Sequence, residues 1–432
     1  MGEASESRAY LQQSLQKFQR ELHENGCLEV NNLSTPNLRN EIHPIFAKGR
    51  WVTGFGQVTH KSYQQMKPAL QLASLLLTEN PVLPWFQHVT YGHRTEDCSE
   101  KPPKVYIAVH KGEHTSRAKE ETRRRLEDMS SFLTLMFVPS TEATTANGLS
   151  FAYLHDVPWY RQFRSTQLPH FGDEYKAQQY AHHGQPAICM AASFHDYFSH
   201  EYKNASLSYH YRMMYFFTMV LVHECAHAYY MYLGRSKYES KFGPKEPLWS
   251  QHEKIAELGY SWETVTLGRI TYPMYGRANN VVLTSYQEEH LSDQKERDRA
   301  IIRIIGGKGS EMLFERVEKI PKRSQQANGW RGTGWFSRGD NKAKKSTVAI
   351  LHAIPMWWVA HWFREEEWEK KRRTWRESKT YEPPSLGSTL ILVCQRNEDG
   401  KAMLHRVTNG SAADPYLDKL KVQATKMHLY DD

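Results

Sequence analysis

The sequence predicts an α+β fold in which a small mixed β-sheet packs against one long apolar helix. The first observation is a set of three apolar runs of strand length near residues 105, 132 and 186, of which the first is rich in β-branched and aromatic residues. The second is an apolar stretch of helix length, residues 209–233, which follows the third run. The third is a group of additional helical patterns toward both ends of the chain. We therefore expect a sheet-and-helix core with helical segments on either side.

The length of 432 residues exceeds what one ordinary core needs, so we expect two or three packed subdomains. We divide the chain into a mainly helical N-terminal region, residues 1–100, and a core, residues 101–275. A helical C-terminal region with a terminal hairpin, residues 276–432, completes it. In the first region the pattern predicts helices at residues 5–25 and 60–80.

The core region contains the most regular pattern. A strand at residues 105–110, a charged helix at 118–130 and a strand at 132–138 have the spacing of a βαβ unit. The apolar helix at 209–233 should end at Gly234, because glycine commonly follows the last residue of a helix.

Four further elements are predicted downstream. A second helix is expected at about residues 248–267, and the basic, glycine-containing segment 318–346 is interpreted as a loop. Residues 350–378 are predicted to be helical, with a Trp-rich first part. Residues 389–407 have the pattern of a β-hairpin around the turn RNEDG.

Composition narrows the class of protein. The formal charge of +8 is a mild excess over this length, so it neither requires nor excludes a nucleic-acid partner. Five widely spaced cysteines without a CxxC pair favour a reducing compartment, and no apolar signal segment is visible at the N-terminus. The longest apolar run, residues 213–222, is about half of the ~20 residues that a bilayer requires. We therefore expect a cytoplasmic protein without a membrane partner; the oligomeric state stays open.

The motif that carries chemistry is His223-Glu224-Cys225-Ala226-His227, inside the predicted apolar helix. Positions i and i+4 share one helix face, so the two imidazoles can reach one metal ion. Glu224 points to the side of that metal, where a general base for a water molecule would sit. Buried imidazoles and carboxylates need partners, and a metal is the simplest common one. We therefore expect a metal site rather than two satisfied core histidines.

A catalytic zinc requires a third protein ligand and one open position. The next predicted helix offers Glu253 and Glu257, which share one face at 100° per residue, opposite the apolar face. One would be the ligand and the other would hydrogen-bond a ligating histidine. Glu246, His252 and Glu263 are the remaining candidates in this stretch.

HECAH followed by a glutamate-bearing helix resembles the zincin metallopeptidases, and among them the gluzincins, in which a downstream glutamate is the third zinc ligand. The resemblance implies a zincin-like fold, Zn²⁺ as cofactor, His223 and His227 as ligands and Glu224 as the base. The stretch Glu253-x-x-Ala-Glu257 is similar to the Glu-x-x-Ala-Asp of membrane zincins, which would make Glu253 the ligand. ELGYSWE and IPMWWVAHWFREEEW resemble uncharacterised fungal HExxH proteins, whose better-fixed acid matches Glu257. We favour Glu257 and keep Glu253 as the alternative.

Together these features predict a zinc-dependent metallohydrolase, a peptidase or amidase acting on a peptide or a small amide. Glu224 would pass a proton from a zinc-activated water to the leaving amine, and Tyr260 is a candidate oxyanion donor. One alternative is a catalytically silent zincin-like scaffold, which would have no need of Glu224. Another is a zinc enzyme acting on a small molecule. We interpret His195 and His200, five residues apart, as histidine-rich surface rather than a second metal site.

Overall fold

The structure is a computed structural model of the chain. The residues it describes are 19–53, 56–99, 103–138, 147–158, 160–169, 184–237, 246–251, 253, 256–275, 281–290, 347–386, 388–396 and 402–411. Over these residues the fold is α+β, as the sequence predicts.

The described residues contain helices and strands throughout. The α-helices are α1 (Gln19–Glu24), α2 (His60–Thr78), α3 (Pro84–Tyr91), α4 (Ser116–Met129), α5 (Ala192–Asp196), α6 (Leu207–Lys237), α7 (Leu258–Leu267), α8 (Met356–His361) and α9 (Glu365–Ser378). The strands are β1 (His93–Asp97), β2 (Lys104–Ala108), β3 (Thr134–Val138), β4 (Gly148–Phe151), β5 (Ala187–Ala191), β6 (Ile270–Tyr275), β7 (Val281–His290), β8 (Thr347–Ala353), β9 (Ser388–Arg396) and β10 (Ala402–Ser411). The helix predicted at 60–80 is α2, which contains Pro68, and only the last part of the helix predicted at 5–25 falls within the described residues.

A three-stranded mixed sheet, in the order β3-β5-β4, lies against the central helix. Strand β3 runs parallel to β5, and β4 pairs with β5 in the antiparallel sense. The strand near residue 105 was expected in this sheet, but β2 pairs with β1 instead. The other edge of β2 bonds to Leu248, with Ile107 N 2.9 Å from Leu248 O and Leu248 N 2.8 Å from Val105 O. Both edges of β2 are therefore occupied, and the predicted βαβ unit does not form.

Helix α6 carries the HExxH motif and, with 31 residues, is the longest of the described helices. It contacts α2, α7, α8, β4 and β5. Residues on several of its faces, such as Tyr215 and Tyr229, are fully buried, as expected for a helix that is apolar on most sides. The helix continues through Gly234, where the sequence predicted its end. Burial of the preceding Leu233 offsets the roughly 1 kcal/mol by which glycine disfavours a helix.

The second predicted helix is shorter than expected, because α7 begins only at Leu258. The residues described between 248 and 257 are not helical. Trp249 N in this stretch donates to Glu253 Oε2 at 2.8 Å, and Leu258 N, at the start of α7, donates to Glu246 Oε2 at 3.2 Å. The prediction that Glu253 and Glu257 share one helix face is therefore wrong.

The C-terminal region contains an antiparallel five-stranded sheet, in the order β10-β9-β8-β7-β6. The predicted hairpin is confirmed, since β9 pairs with β10 in the antiparallel sense. The other three strands were not predicted. The helix expected from residue 350 begins at Met356, because residues up to Ala353 pair with β7 and Pro355 caps the helix. The basic segment 318–346 lies outside the described residues.

One hydrophobic cluster joins the three regions into which the sequence was divided. It extends from Leu38 to Leu386 and includes the fully buried Trp85, Trp262 and Trp358. Helix α6 contributes the largest share of this core, so the HExxH motif lies at the centre of the fold. None of the helices described here has the length and apolar character needed to cross a membrane.

Candidate metal centre

Three donor atoms from two helices meet at one point beside α6. His223 Nε2 lies 3.3 Å from His227 Nε2 and 3.2 Å from Glu257 Oε1. His227 Nε2 lies 2.8 Å from the same Glu257 oxygen. The structure thus brings together the two predicted histidine ligands and the favoured glutamate.

Helix geometry and a helix cap position these side chains. His223 and His227 are one turn apart on α6, so both rings point to the same side. Glu257 is the N-cap residue of α7 and has an extended backbone, with φ −152° and ψ 97°. Its Oε2 accepts a hydrogen bond from Tyr260 N, while its Oε1 faces both imidazoles. The cap therefore fixes the carboxylate without using the oxygen that faces the histidines.

The triangle of donor atoms has the size that a zinc ion requires. Tetrahedral ligands at about 2.0–2.1 Å from zinc are roughly 3.3 Å apart. The three observed distances are 3.3, 3.2 and 2.8 Å. The circle through the three atoms has a radius of about 1.8 Å, shorter than a zinc–ligand bond. One ion can therefore contact all three atoms from one side of their plane.

Two further carboxylates hold the outer nitrogens of the histidines. His223 Nδ1 is 2.8 Å from Glu263 Oε1, and His227 Nδ1 is 2.6 Å from Glu246 Oε1. Each carboxylate also accepts a backbone N–H with its second oxygen. Because a carboxylate only accepts, each Nδ1 carries a proton, so Nε2 is the nitrogen that would bind a metal ion, in place of its contact with Glu257. Glu246 and Glu263 were possible third ligands in the sequence, and the structure places them behind the rings.

The charges around the two rings favour a bound cation. Burial lowers the pKa of His223, but the carboxylates of Glu257 and Glu263 outweigh burial and raise it to about 10. Burial is likewise outweighed at His227, where Glu246 and Glu257 raise the pKa well above its usual range. Burial would raise the pKa of Glu257, yet the two histidines hold it well below its usual range. Three carboxylates around two imidazoles form a donor set that a divalent cation satisfies.

Glu224 is held in place by strand β4. Its side chain is almost buried, and Ser150 Oγ donates a hydrogen bond to Glu224 Oε2 at 2.6 Å. The strand passes so close that a Cβ atom on Gly148 would lie 2.7 Å from Glu224 Cγ. The predicted base is therefore positioned by a different element from the one that carries it.

The first turn of α7 packs directly against His223. A Cβ atom on Gly259 would lie 2.4 Å from His223 Nε2, so glycine is required for this approach. The ring of Tyr260 meets the His223 ring edge to face, with centroids 5.0 Å apart. Tyr260, the candidate oxyanion donor, thus lies next to the candidate metal centre.

Glu253, the alternative third ligand, does not join the atoms that converge on the histidines. Its carboxylate accepts from Trp249 N and from the Ser261 hydroxyl, which places it in the turn before α7. Burial raises the pKa of the Glu253 carboxyl to about 7. Glu253 therefore shapes the turn that delivers Glu257. His252 lies outside the described residues.

Sequence reasoning missed the residues that support the site from other elements. Ser150 stands 74 positions before Glu224, and no local pattern reveals that contact. Gly148 is equally remote from the motif. Gly259 offered a signal, because a glycine inside a predicted helix weakens it unless another group must approach closely.

Comparisons of the chain with models of known families, with curated proteins and with solved structures find no match. The resemblance to the zincins therefore depends on the HExxH helix and on the side chains assembled around it.

Proposed function

We propose that this protein is a zinc-dependent hydrolase that cleaves amide bonds, as a peptidase or amidase. The observation that supports the proposal is the convergence of His223 Nε2, His227 Nε2 and Glu257 Oε1 within 3.3 Å of one another. These three residues would hold the zinc ion, and Glu224 would be the base, as in the gluzincins that the motif resembles.

The chemistry follows from the arrangement of the side chains. Zinc, when bound, supplies a Lewis acid that polarises the scissile carbonyl and acidifies water. Glu224 would accept the proton of the attacking water and deliver it to the leaving amine. The Ser150 hydroxyl occupies Glu224 Oε2, which leaves Oε1 for the proton. Tyr260, beside His223, would donate a hydrogen bond to the carbonyl oxygen as negative charge develops on it.

Strand β4 favours a peptide over a small amide as substrate. In the described part of the chain it is the outer strand of its sheet, and pairing is recorded only on the side of β5. Gly148 and Ser150 on this strand both lie against Glu224. An extended peptide that paired with the outer edge of β4 would carry its backbone past the base.

The test is Glu224→Gln, measured on the zinc-loaded chain with a peptide library. Glutamine keeps the size of the side chain and can still accept from Ser150, but it is not a base. We expect about one tightly bound zinc ion per chain, as in the wild type, while hydrolysis falls by roughly 10²–10⁴-fold. Glu253→Gln is the matched control, since Glu253 lies outside the proposed ligand set.

Two results would contradict the proposal. If hydrolysis persisted within a few-fold in Glu224→Gln with zinc bound, the HExxH helix would not be the catalytic centre. If zinc bound tightly but no peptide or amide were cleaved by the wild-type chain, a catalytically silent scaffold would explain the site better.

A further inference from the structure

We propose a second metal site, for an exchangeable divalent transition-metal ion, formed by His195, Asp196 and His200. One ligand atom from each side chain lies within 4.8 Å of the other two. The site follows β5 and precedes α6, so it shares no residue with the HExxH centre. It is also more open, because the Asp196 side chain is 58% exposed.

A π-helical turn brings the two histidines together. Residues Tyr197–Glu201 form this turn, and Tyr202 N donates to Tyr197 O, five residues back. In an α-helix, side chains five residues apart point about 140° away from each other. The wider π turn reduces this difference, and such turns are frequent at functional sites. The two rings accordingly lie 6.1 Å apart between centroids, with an interplanar angle of 80°. His195 and His200 are five residues apart, a spacing that would not place them on one face of an α-helix. The π-helical turn allows both to contribute to one site.

His195 has the orientation of a metal-binding histidine. Its Nε2 lies 3.3 Å from Gln57 O and 3.2 Å from Ser199 Oγ. A carbonyl oxygen only accepts, so Nε2 carries the proton and Nδ1 keeps its lone pair. Nδ1 lies 3.6 Å from Asp196 Oδ1, and the ring packs against Phe137 with centroids 5.5 Å apart. Metal-ligating histidines commonly donate their other N–H to a carbonyl in this way.

The donor set indicates the class of metal. Two imidazoles and one carboxylate suit Zn²⁺, Co²⁺ or Ni²⁺, whereas Mg²⁺ and Ca²⁺ take oxygen ligands. The donor atoms, up to 4.8 Å apart, must close to about 3.3 Å around a tetrahedral ion. This adjustment and the open positions left for water predict weaker binding than at the HExxH centre.

The test is equilibrium dialysis of the full chain against radioactive Zn²⁺. We expect two classes of site in the wild-type chain, and the weaker class should survive in the His223→Ala/His227→Ala variant. His195→Gln, His200→Gln and Asp196→Asn should each weaken that class by at least 10-fold. His155→Gln is the matched control, because His155 is exposed like His200 and lies 3.5 Å from a neighbouring aspartate, Asp156, as His195 lies beside Asp196.

A second measurement requires no variant. Zn²⁺ at a concentration that fills the weaker class should protect His195 and His200, but not His155, from acylation by diethyl pyrocarbonate, mapped by mass spectrometry. The proposal is overturned if the wild-type chain has no weaker class, if that class is unchanged in His195→Gln and His200→Gln, or if zinc leaves their acylation unchanged. Whether the tight class of zinc site is lost in His223→Ala/His227→Ala tests only the proposed hydrolase site. The two proposals can therefore be contradicted independently.

Discussion

Glu257→Gln should weaken zinc binding far more than Glu253→Gln, although both changes replace a glutamate by its amide in the same stretch. Glu257 Oε1 lies 2.8 Å from His227 Nε2 and 3.2 Å from His223 Nε2, at the corner of the donor triangle. The Glu253 carboxylate is bonded to Trp249 N, in the turn before α7. Glutamine at 257 can still cap α7, so the loss should be confined to the charge and the coordinating oxygen.

The expected loss of zinc affinity can be estimated from the number of ligands. Four-ligand structural zinc sites are worth about 10–16 kcal/mol, so one ligand contributes roughly 3–4 kcal/mol. This corresponds to a rise in zinc Kd of about 10²–10³-fold for Glu257→Gln. Glu246→Gln, which removes the charge behind His227, should raise Kd by roughly 10–100-fold. Glu253→Gln should leave Kd within about three-fold of the wild-type value, a difference of less than 1 kcal/mol.

The assay is competition for Zn²⁺ between each purified variant and a chromophoric chelator at pH 7.5, with circular dichroism to establish that each variant is folded. The order expected for the loss of affinity is Glu257→Gln, then Glu246→Gln, then Glu253→Gln. The reasoning is refuted if Glu253→Gln costs as much affinity as Glu257→Gln, or if Glu257→Gln binds zinc like the wild type.

Three more changes test other contacts of the site. Gly259→Ala places a Cβ atom 2.4 Å from His223 Nε2 and should raise zinc Kd at least ~10-fold, whereas Gly234→Ala, whose Cβ would meet nothing within 4 Å, should not. Ser150→Ala should keep zinc bound but lower kcat by about 10–150-fold with little change in KM, because a hydrogen bond to a carboxylate is worth roughly 1.5–3 kcal/mol. An unchanged kcat would show that Ser150 does not position Glu224. Glu253→Gln should flatten the pH dependence of unfolding. The folded pKa of about 7 lies above the ordinary 4.5, so wild-type stability falls as pH rises between these values. The fall amounts to about 2–3 kcal/mol. The prediction would be contradicted if the free energy of unfolding, measured by urea titration at pH 4.5 and 7.5, changed equally in the wild type and in Glu253→Gln.

The positions of the two histidines and of the candidate base Glu224 were predictable because five consecutive residues contain them. Their relation to each other depends only on the helix period, and α6 is a helix even where Gly234 argued for its end. The third ligand was ambiguous for a physical reason. A continuous helix from residue 248 would place Glu253 and Glu257 on one face and so does not distinguish them, whereas in the structure the Glu253 side chain binds Trp249 N and competes with helical hydrogen bonds there. The cap role of Glu257 decides its position.

Pairing between residues far apart in the sequence accounts for the other differences between the predicted and the observed structure. The strand at β2 was identified from its composition, but composition does not specify a partner. Leu248 takes the edge of β2 through two backbone hydrogen bonds, although it lies more than one hundred residues away in the sequence. The contact of Ser150 with Glu224 has the same character, since only the pairing of β4 with β5 brings that hydroxyl to α6.

The central position of α6 has a consequence for synthesis of the protein on the ribosome. Helix α6 ends at Lys237, but Trp358 and Val359, which belong to the same hydrophobic core, follow about 120 residues later. At an elongation rate of about 5–20 residues per second, α6 waits roughly 6–24 seconds for these partners. During that interval apolar side chains of the longest helix stay exposed on the nascent chain. We therefore expect the newly made protein to depend on chaperones until α8 has emerged, and slower translation between α7 and α8 to lower the yield of folded protein.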